Sequence, residues 1–376
     1  VDARGEAGAA RVREALAEGS ARFSRREDVV ILCGTWNVNE KMGFEASLDK
    51  WVGRQAPRAH VVVLGFQEIE MGGSSVAMAA VNEMLRSEVP NATGQWWAAA
   101  VEGALQRAGG PAAPGAAPQW GRVGVRQLSG MLVAVYARAE ILPHIGEVET
   151  SAVACGVMGV GGNKGGAAVR FSLYRRKVCC VASHFAAHQN AVAKRNRDYR
   201  TIVAGIRFPS DCPDLVRRAE PAPGDALVSP ATAARASVDV GKGMNAAELL
   251  IWAGDFNYRV DVPCGEAKAA VAEGRLGHLM ERDQCRRELA AGRVFLGMAE
   301  CPISFPPTYK FDKNTPDPLG YDSSEKQRVP SWTDRIFFRG SEPAAPPDAP
   351  RAVAPLPTSH GADSSDSSDD EDEDGG

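Results

Sequence analysis

The stretch Leu249-Leu250-Ile251-Trp252-Ala253-Gly254-Asp255-Phe256-Asn257-Tyr258-Arg259 decides how this chain is read. Its apolar run is long enough for a buried strand, and it meets a glycine before presenting a carboxylate and a carboxamide two positions apart. Residues two apart in an extended chain project from one face, so Asp255 and Asn257 point together from the strand's end into a cleft. A carboxylate beside an amide suits work at a phosphate: the first polarises water, the second donates to an oxyanion. Alone, Asp-x-Asn after a strand is more often a turn or a helix cap, so the rest of the chain must decide.

The same unit recurs outward from there. Residues 28–39 form a β-branched run ending in Asn37 and Asn39, and residues 60–68 form another, ending in the carboxylate of Glu68. Residues 131–136 read as a fully buried strand, and 178–182 as one delivering Ser183 and His184. Singly, each has a bland reading: Glu68 as a solvated strand end, His184 as a satisfied core histidine. The glycine-rich run 159–166 carries Asn163 and Lys164. It lacks the Gly-x-x-x-x-Gly-Lys-Ser/Thr spacing, and a strand over 167–171 follows instead of a helix. It either wraps an anion with backbone N–H groups or turns a hairpin.

Helical spacing appears over 10–17, 76–88, 189–202 (with Lys194, Arg195, Arg197 and Arg200) and 265–291. A cationic helix face of that kind is usually only solvated. The prolines of 305–312 fix an extended loop presenting Tyr309 and Lys310, and Lys326 and Arg328 precede a last strand at 334–338. Domain limits follow from composition: a charged lead-in at 1–27, one domain over 28–340, and a disordered Pro/Ala-rich and acidic tail at 341–376. Flexible insertions rich in Ala, Gly, Pro and Ser interrupt the domain at about 103–119 and 209–246.

The 376 residues are 44% hydrophobic, enough for a sizeable core, and the formal charge is −4. Eight acidic residues crowd into 363–374, leaving 43 basic against 39 acidic residues elsewhere. That remainder is mildly basic and permits an anionic ligand. Most such acidic runs are inert and solvated; this one should be repelled by an anionic membrane, and Ser364, Ser365, Ser367 and Ser368 stand before acids as candidate phosphorylation sites. Eight cysteines form no Cys-x-x-Cys pair, which fits reduced thiols in a cytosolic protein. No run approaches the ~20 apolar residues of a membrane span. The chain opens on Val1 without a secretory apolar segment, as an excised piece would.

Together the strand ends would place Asn37, Glu68, His184, Asp255, Asn257 and Asp334 on one rim. One acidic ligand plus amides and waters suits Mg²⁺, and no His/Cys set with zinc spacing competes.

The sequence resembles the inositol polyphosphate 5-phosphatase catalytic domain of the endonuclease/exonuclease/phosphatase superfamily. The resemblance runs from about residue 29 to 339. It rests on Gly34-Thr35-Trp36-Asn37-Val38-Asn39, Phe66-Gln67-Glu68, Gly162-Asn163-Lys164-Gly165-Gly166, Ser183-His184-Phe185-Ala186-Ala187-His188 and Arg195-Asn196-Arg197-Asp198-Tyr199. It continues through Trp252 to Arg259, Pro307-Thr308-Tyr309-Lys310-Phe311-Asp312 and Pro330-Ser331-Trp332-Thr333-Asp334-Arg335. It implies an α/β fold, a four-layer α/β/β/α sandwich of two mixed sheets of the DNase-I-like kind. It also implies Mg²⁺-dependent removal of the 5-phosphate from phosphoinositides such as phosphatidylinositol 4,5-bisphosphate, or from soluble inositol phosphates.

Position by position, the resemblance makes Glu68 the metal ligand, helped by Asn37. Asp255 orients the water, Asn257 the phosphate, and His184 donates to a phosphate oxygen. Tyr309, Lys310, Lys326 and Arg328 clamp the neighbouring 4-phosphate, with Asn163 and Lys164 near the substrate. A cytoplasmic place in phosphoinositide signalling, peripheral to membranes and without nucleic acid, follows from the same likeness. One departure stands out. The family closes its domain with Ser-Asp-His-x-Pro and a further strand, whose histidine is held by the residue matching Asp334. Here only Thr358-Ser359-His360-Gly361 follows, without the Asp or the strand. Two alternatives therefore stay open: a binding module that keeps the clamp with weakened turnover, and a nuclease or phosphodiesterase of the same superfamily.

Overall fold

The computed structural model describes residues 27–42, 45–70, 89–109, 119–155, 164–211, 243–312 and 320–340. The expected helices at 10–17 and 76–88, and the whole tail, lie outside them, as do Asn163 and His360.

The first sheet contains β1 (Ile31–Asn37), β2 (Val61–Gln67), β3 (Trp120–Leu128) and β4 (Met131–Arg138), in the order β1-β2-β4-β3. The second contains β5 (Ile145–Ala154), β6 (Gly165–Leu173), β7 (Arg176–His184), β8 (Leu249–Asp255) and β9 (Asp334–Arg339), in chain order. Each holds one parallel pair, β1 with β2 and β7 with β8, and antiparallel pairs otherwise. Six α-helices are described: α1 (Glu45–Leu48), α2 (Ala92–Ala108), α3 (Val192–Gly205), α4 (Cys264–Ala272), α5 (Leu276–Glu281) and α6 (Gln284–Ala290).

The strands buried on both faces are those whose sequence is a continuous apolar run. Inner faces of the two sheets meet through Val61, Val63, Val133 and Val135 on one side and Ala167, Val169, Cys180 and Ala182 on the other. The approach is close at Gly65, where an added Cβ would lie 2.9 Å from that of Ala182. Trp97, Val101 and Leu105 of α2 cover the outer face of the first sheet over Val62, Leu64, Phe66 and Tyr136. Tyr199 and Ile202 of α3 cover the second over Val181 and Trp252, with Phe256, Phe295 and Phe337 extending that layer. Helix, sheet, sheet, helix is the expected four-layer sandwich.

Three expectations need correction. The insertion at 103–119 begins late, because α2 runs through Ala108. Its Ala-rich composition reads as loose packing, yet alanine is the best helix former. Trp97, Val101, Ala104 and Leu105 fall on one helical face, and the Asn91 side chain caps the first turn by accepting from Gly94 N at 3.0 Å. The single helical segment at 265–291 is three short helices, broken where Gly274 adopts φ +69° and where Asp283 caps the next helix. Strands β3 and β5 went unread. Both edge their sheets and carry Arg122, Arg126, Glu147 and Glu149, so their apolar alternation is diluted.

Side chains tie together the described residues that flank 110–118 and 212–242. At 110–118, Gln119 N donates to Gln106 Oε1 at 3.1 Å and Gln119 Nε2 to Gly109 O at 3.2 Å. At 212–242, Gly243 N donates to Asp211 Oδ2 at 2.9 Å. The buried Arg170 holds Asp211 at 2.9 Å and Glu149 at 2.7 Å, with its guanidinium 4.0 Å from the Phe208 ring centroid. The described cysteines are all free thiols.

Candidate active site

Strand register assembles the site. His184 at the end of β7 pairs with Asp255 at the end of β8, which pairs with Asp334 at the start of β9. On the other sheet Asn37 pairs with Gln67, one residue before Glu68. Face-to-face packing then joins the rims: Asn37 Nδ2 donates to Asp255 Oδ2 at 3.1 Å across 218 residues of chain. His184 Nε2 lies 3.4 Å from Asp255 Oδ2 and 3.7 Å from Glu68 Oε1. Lys164, just ahead of β6, puts its Nζ 2.5 Å from the same nitrogen.

Glu68 and Asn257 both adopt left-handed backbone, at φ +54° and +55°. Asparagine tolerates this region and glutamate rarely does; strain of this kind gathers at working sites. At Asn257 the turn lets the backbone N–H donate to Asp255 Oδ1 at 3.0 Å while Nδ2 donates to Phe185 O at 3.1 Å.

Burial dominates the electrostatics. It pushes Asp255 above the usual carboxylate range, opposed by Lys164, Asn37 and Arg259. Asp334 is raised to about 7, first by burial and then by the Asp255 charge, against hydrogen bonds from Thr308 and Thr333 at 3.0 Å each. Burial, then Lys164 and Arg259, hold His184 well below its ordinary value, so its ring is neutral. A charged Lys164 has donors only, so its contact with Nε2 goes with a ring proton on Nδ1, whereas the neighbouring Asp255 and Glu68 oxygens go with one on Nε2. The expected donation from His184 to a phosphate oxygen needs the proton on Nε2, the nitrogen that faces Lys164, Asp255 and Glu68. Lys164 itself is lowered by burial against the pull of Asp255 and Glu68.

The clamp residues form a wall beside this floor. Tyr309 is paired with Ser331 through backbone bonds of 3.1 and 2.9 Å, and its ring faces Arg259. Asp322, which the sequence reading passed over, ties the wall together. Its N–H donates to Lys310 O at 2.9 Å, and its carboxylate accepts from Arg328 N and Nη1 at 3.0 and 3.1 Å. Lys326 stands exposed on the same turn. Of the expected site residues, Asn37, Glu68, Lys164, His184, Asp255 and Asn257 converge on the floor. Asp334 lies behind Asp255, and Tyr309, Lys310, Lys326 and Arg328 share the wall.

The buried Oδ1 of Asp334 has no hydrogen-bond partner. Beside it an open groove of about 660 Å³ runs between β1 and β9, lined by Ile31, Ile303, Phe305, Ile336 and Phe338. Arg195 is another correction: it is fully buried, donating to Ala186 O, His188 O and Gln189 O and to Gln284 Oε1 at 2.5 Å. Its place in a cationic run concealed that role.

The model of "Endonuclease/Exonuclease/phosphatase family 2" matches residues 34–352. The inositol polyphosphate 5-phosphatase domain of SPsynaptojanin, solved with inositol (1,4)-bisphosphate and calcium ion, superposes with a TM-score of 0.68. It is 30% identical, over 88% of this chain and 81% of that one. The chain belongs to the inositol polyphosphate 5-phosphatase family. Type II inositol polyphosphate 5-phosphatase 15 of Arabidopsis thaliana is 38% identical over 340 residues, and inositol-1,4,5-trisphosphate 5-phosphatase 1 of Schizosaccharomyces pombe is 32% identical over 332. Each match covers 88% of this chain but only 29% and 26% of those longer proteins.

Proposed function

We propose that this domain hydrolyses the 5-phosphate of an inositol polyphosphate, either soluble or as a phosphoinositide head group such as phosphatidylinositol 4,5-bisphosphate. The observation that carries the reading is the meeting of Asn37, Glu68, Lys164 and His184 around Asp255, beside a wall bearing Lys310, Lys326 and Arg328. A floor that positions one phosphoryl group next to a cationic wall suits a ring with adjacent phosphates better than a duplex, which wants a broader basic face. The family relative solved with inositol (1,4)-bisphosphate supports this, since that compound remains when 1,4,5-trisphosphate loses its 5-phosphate.

The donors on the floor are oxygens of Glu68, Asp255 and Asn37. Among the described residues no group of three His, Cys, Asp or Glu side chains forms a metal cage. Such a set fits Mg²⁺, which takes few protein ligands and keeps its waters. Glu68 would hold it with Asn37, and when bound it would neutralise developing charge on the phosphoryl oxygens.

Asp255, with its raised carboxyl, orients the attacking water and accepts its proton. The water oxygen bonds to phosphorus as the bond from phosphorus to the ring oxygen breaks; the ring oxygen takes a proton from solvent water and leaves as a hydroxyl, while Asp255 returns the proton it accepted to solvent. Lys164 and the Asn257 amide donate to phosphoryl oxygens. The chain supplies position and charge rather than a covalent intermediate.

The test is release of phosphate from inositol 1,4,5-trisphosphate and from vesicles of phosphatidylinositol 4,5-bisphosphate, with Mg²⁺ or with chelator. Release that needs the metal supports the reading; nicking of plasmid DNA in its place overturns it. A second reading, a binding module with slow turnover, is favoured by the unpartnered Asp334 Oδ1. Tight binding without release, unchanged in Asp255→Ala, would select it. We further propose that membrane contact in either reading is peripheral and from the cytoplasmic side, as the likeness to 5-phosphatases implies. Among the described residues no helix is long and apolar enough to cross a bilayer.

A further inference from the structure

Arg259 is only 6% exposed, yet among the described residues no carboxylate pairs with it. Buried guanidinium groups ordinarily take an anionic partner. The charge of Arg259 is felt by Asp255 and Asp334, but the hydrogen bonds its guanidinium makes go to a single neutral residue, with Nη2 at 2.5 Å from Asn257 Oδ1 and Nε at 3.0 Å from Asn257 O. The Tyr309 ring closes over the guanidinium at 4.0 Å from its centroid, a cation–π contact that holds the fork in plane. Behind it, Arg259 N donates to Gln284 Oε1 at 3.0 Å, and that oxygen also accepts from the buried Arg195 at 2.5 Å. The arginine is thus fixed at both ends, and what it touches is the amide.

A carboxamide has two ends of nearly equal shape, an acceptor oxygen and a two-donor nitrogen. A neighbour able to donate and accept would tolerate either orientation. A guanidinium has donors only, so it permits the one in which the oxygen faces it. Asn257 Nδ2 then spends one N–H on Phe185 O, at 3.1 Å, and keeps the second for another acceptor.

We propose that Arg259 is a positioning residue that locks the amide orientation of Asn257, so that an N–H rather than a carbonyl oxygen is offered to the phosphate. This rests on the reading of Asn257 as a phosphate donor. Phe185 O, an acceptor, favours the same orientation, so loss of Arg259 removes one of two constraints on the amide, and a carbonyl oxygen turned toward phosphate repels it.

The experiment is a double-mutant cycle on Arg259→Met and Asn257→Ala, read by phosphate release from inositol 1,4,5-trisphosphate, by calorimetric affinity for the same compound, and by Tm. Asn257→Ala should lower kcat by about 10²–10³-fold, as loss of an oxyanion donor does. Arg259→Met should lower it by roughly 10–100-fold, a partial loss of the same interaction. The double variant should match Asn257→Ala within about two-fold, because residues acting as a unit are not additive. Arg259→Lys, still a donor-only cation, should recover most of the loss; Arg259→Gln, which donates and accepts, should not. Effects that multiply in the double variant, or Lys and Gln behaving alike, overturn the inference. If Arg259→Met does not fold, the Lys and Gln variants carry the cycle. If the wild type releases no phosphate, the proposed function fails, and the affinity cycle alone decides the role of Arg259.

Discussion

On the floor of the cleft the buried Asp255 and the half-buried Asp334 have their carboxyls pushed up, whereas on its wall the buried Asp322 is held well below the usual carboxylate range. The difference is in the donors. Asp322 accepts from Ser324 N and Oγ at 3.2 and 2.6 Å and from Arg328 N and Nη1 at 3.0 and 3.1 Å. Asp334 accepts from two hydroxyls on one oxygen, leaves the other bare, and faces the charge of Asp255. Burial acts on both sites, but charge-directed hydrogen bonds outweigh it only on the wall. One region is built to be stable when charged, the other to be reactive because charge is uncomfortable there.

The most severe way to break that contrast is Asp255→Ala. It should lower kcat by about 10²–10⁴-fold with little change in Tm, measured by phosphate release and by calorimetric unfolding. A large loss of Tm would mean that the floor is structural after all. Asp322→Ala should do the reverse, costing about 1–3 kcal/mol of stability through the lost charged hydrogen bonds, with kcat close to wild type. Denaturant unfolding checks it.

Next, Lys326→Ala should raise KM about ten-fold for substrates with a neighbouring phosphate, and that penalty should shrink between 50 and 500 mM salt (roughly a three-fold fall in Debye length) because the side chain is exposed. The Asp255→Ala defect should be salt-independent. Smallest is the pH effect. A carboxyl whose folded value is raised stays protonated after the unfolded chain has ionised, so stability falls as pH rises from about 4 to about 7. In chelator, Asp334→Asn should flatten that fall, whereas the Asp322 contribution is present above pH ~4 and is lost only on acidification. Urea midpoints at pH 4, 5.5 and 7.5 separate the two.

Continuous apolar runs made β2, β4, β7 and β8 legible, since a strand buried on both faces must be apolar throughout, and the half-buried edge strand β1 was legible from its β-branched start. The polar residue ending each run was legible for the same reason, being the first that can leave the core. What escaped notice depends on partners distant in sequence. Arg195 and Lys194 look alike in the chain, and only packing against Gln284 sets one inside. Arg259 closes the stretch that decided the fold, but nothing in its neighbours reveals the Tyr309 ring above it. Nor could residue type say that Lys164 would reach His184.

The clasp formed by Arg170, Asp211 and Gly243 brings the two ends of a long excursion within a single hydrogen bond of each other before the chain leaves the second sheet and after it returns. Closing a longer excursion costs only the logarithm of its length, so residues can be added or removed there while the strand that bears Asp255 feels the same tether. Sequence at that place is free to drift or to acquire a new task, and the chemistry at the far end of the same sheet's strands need never register the change.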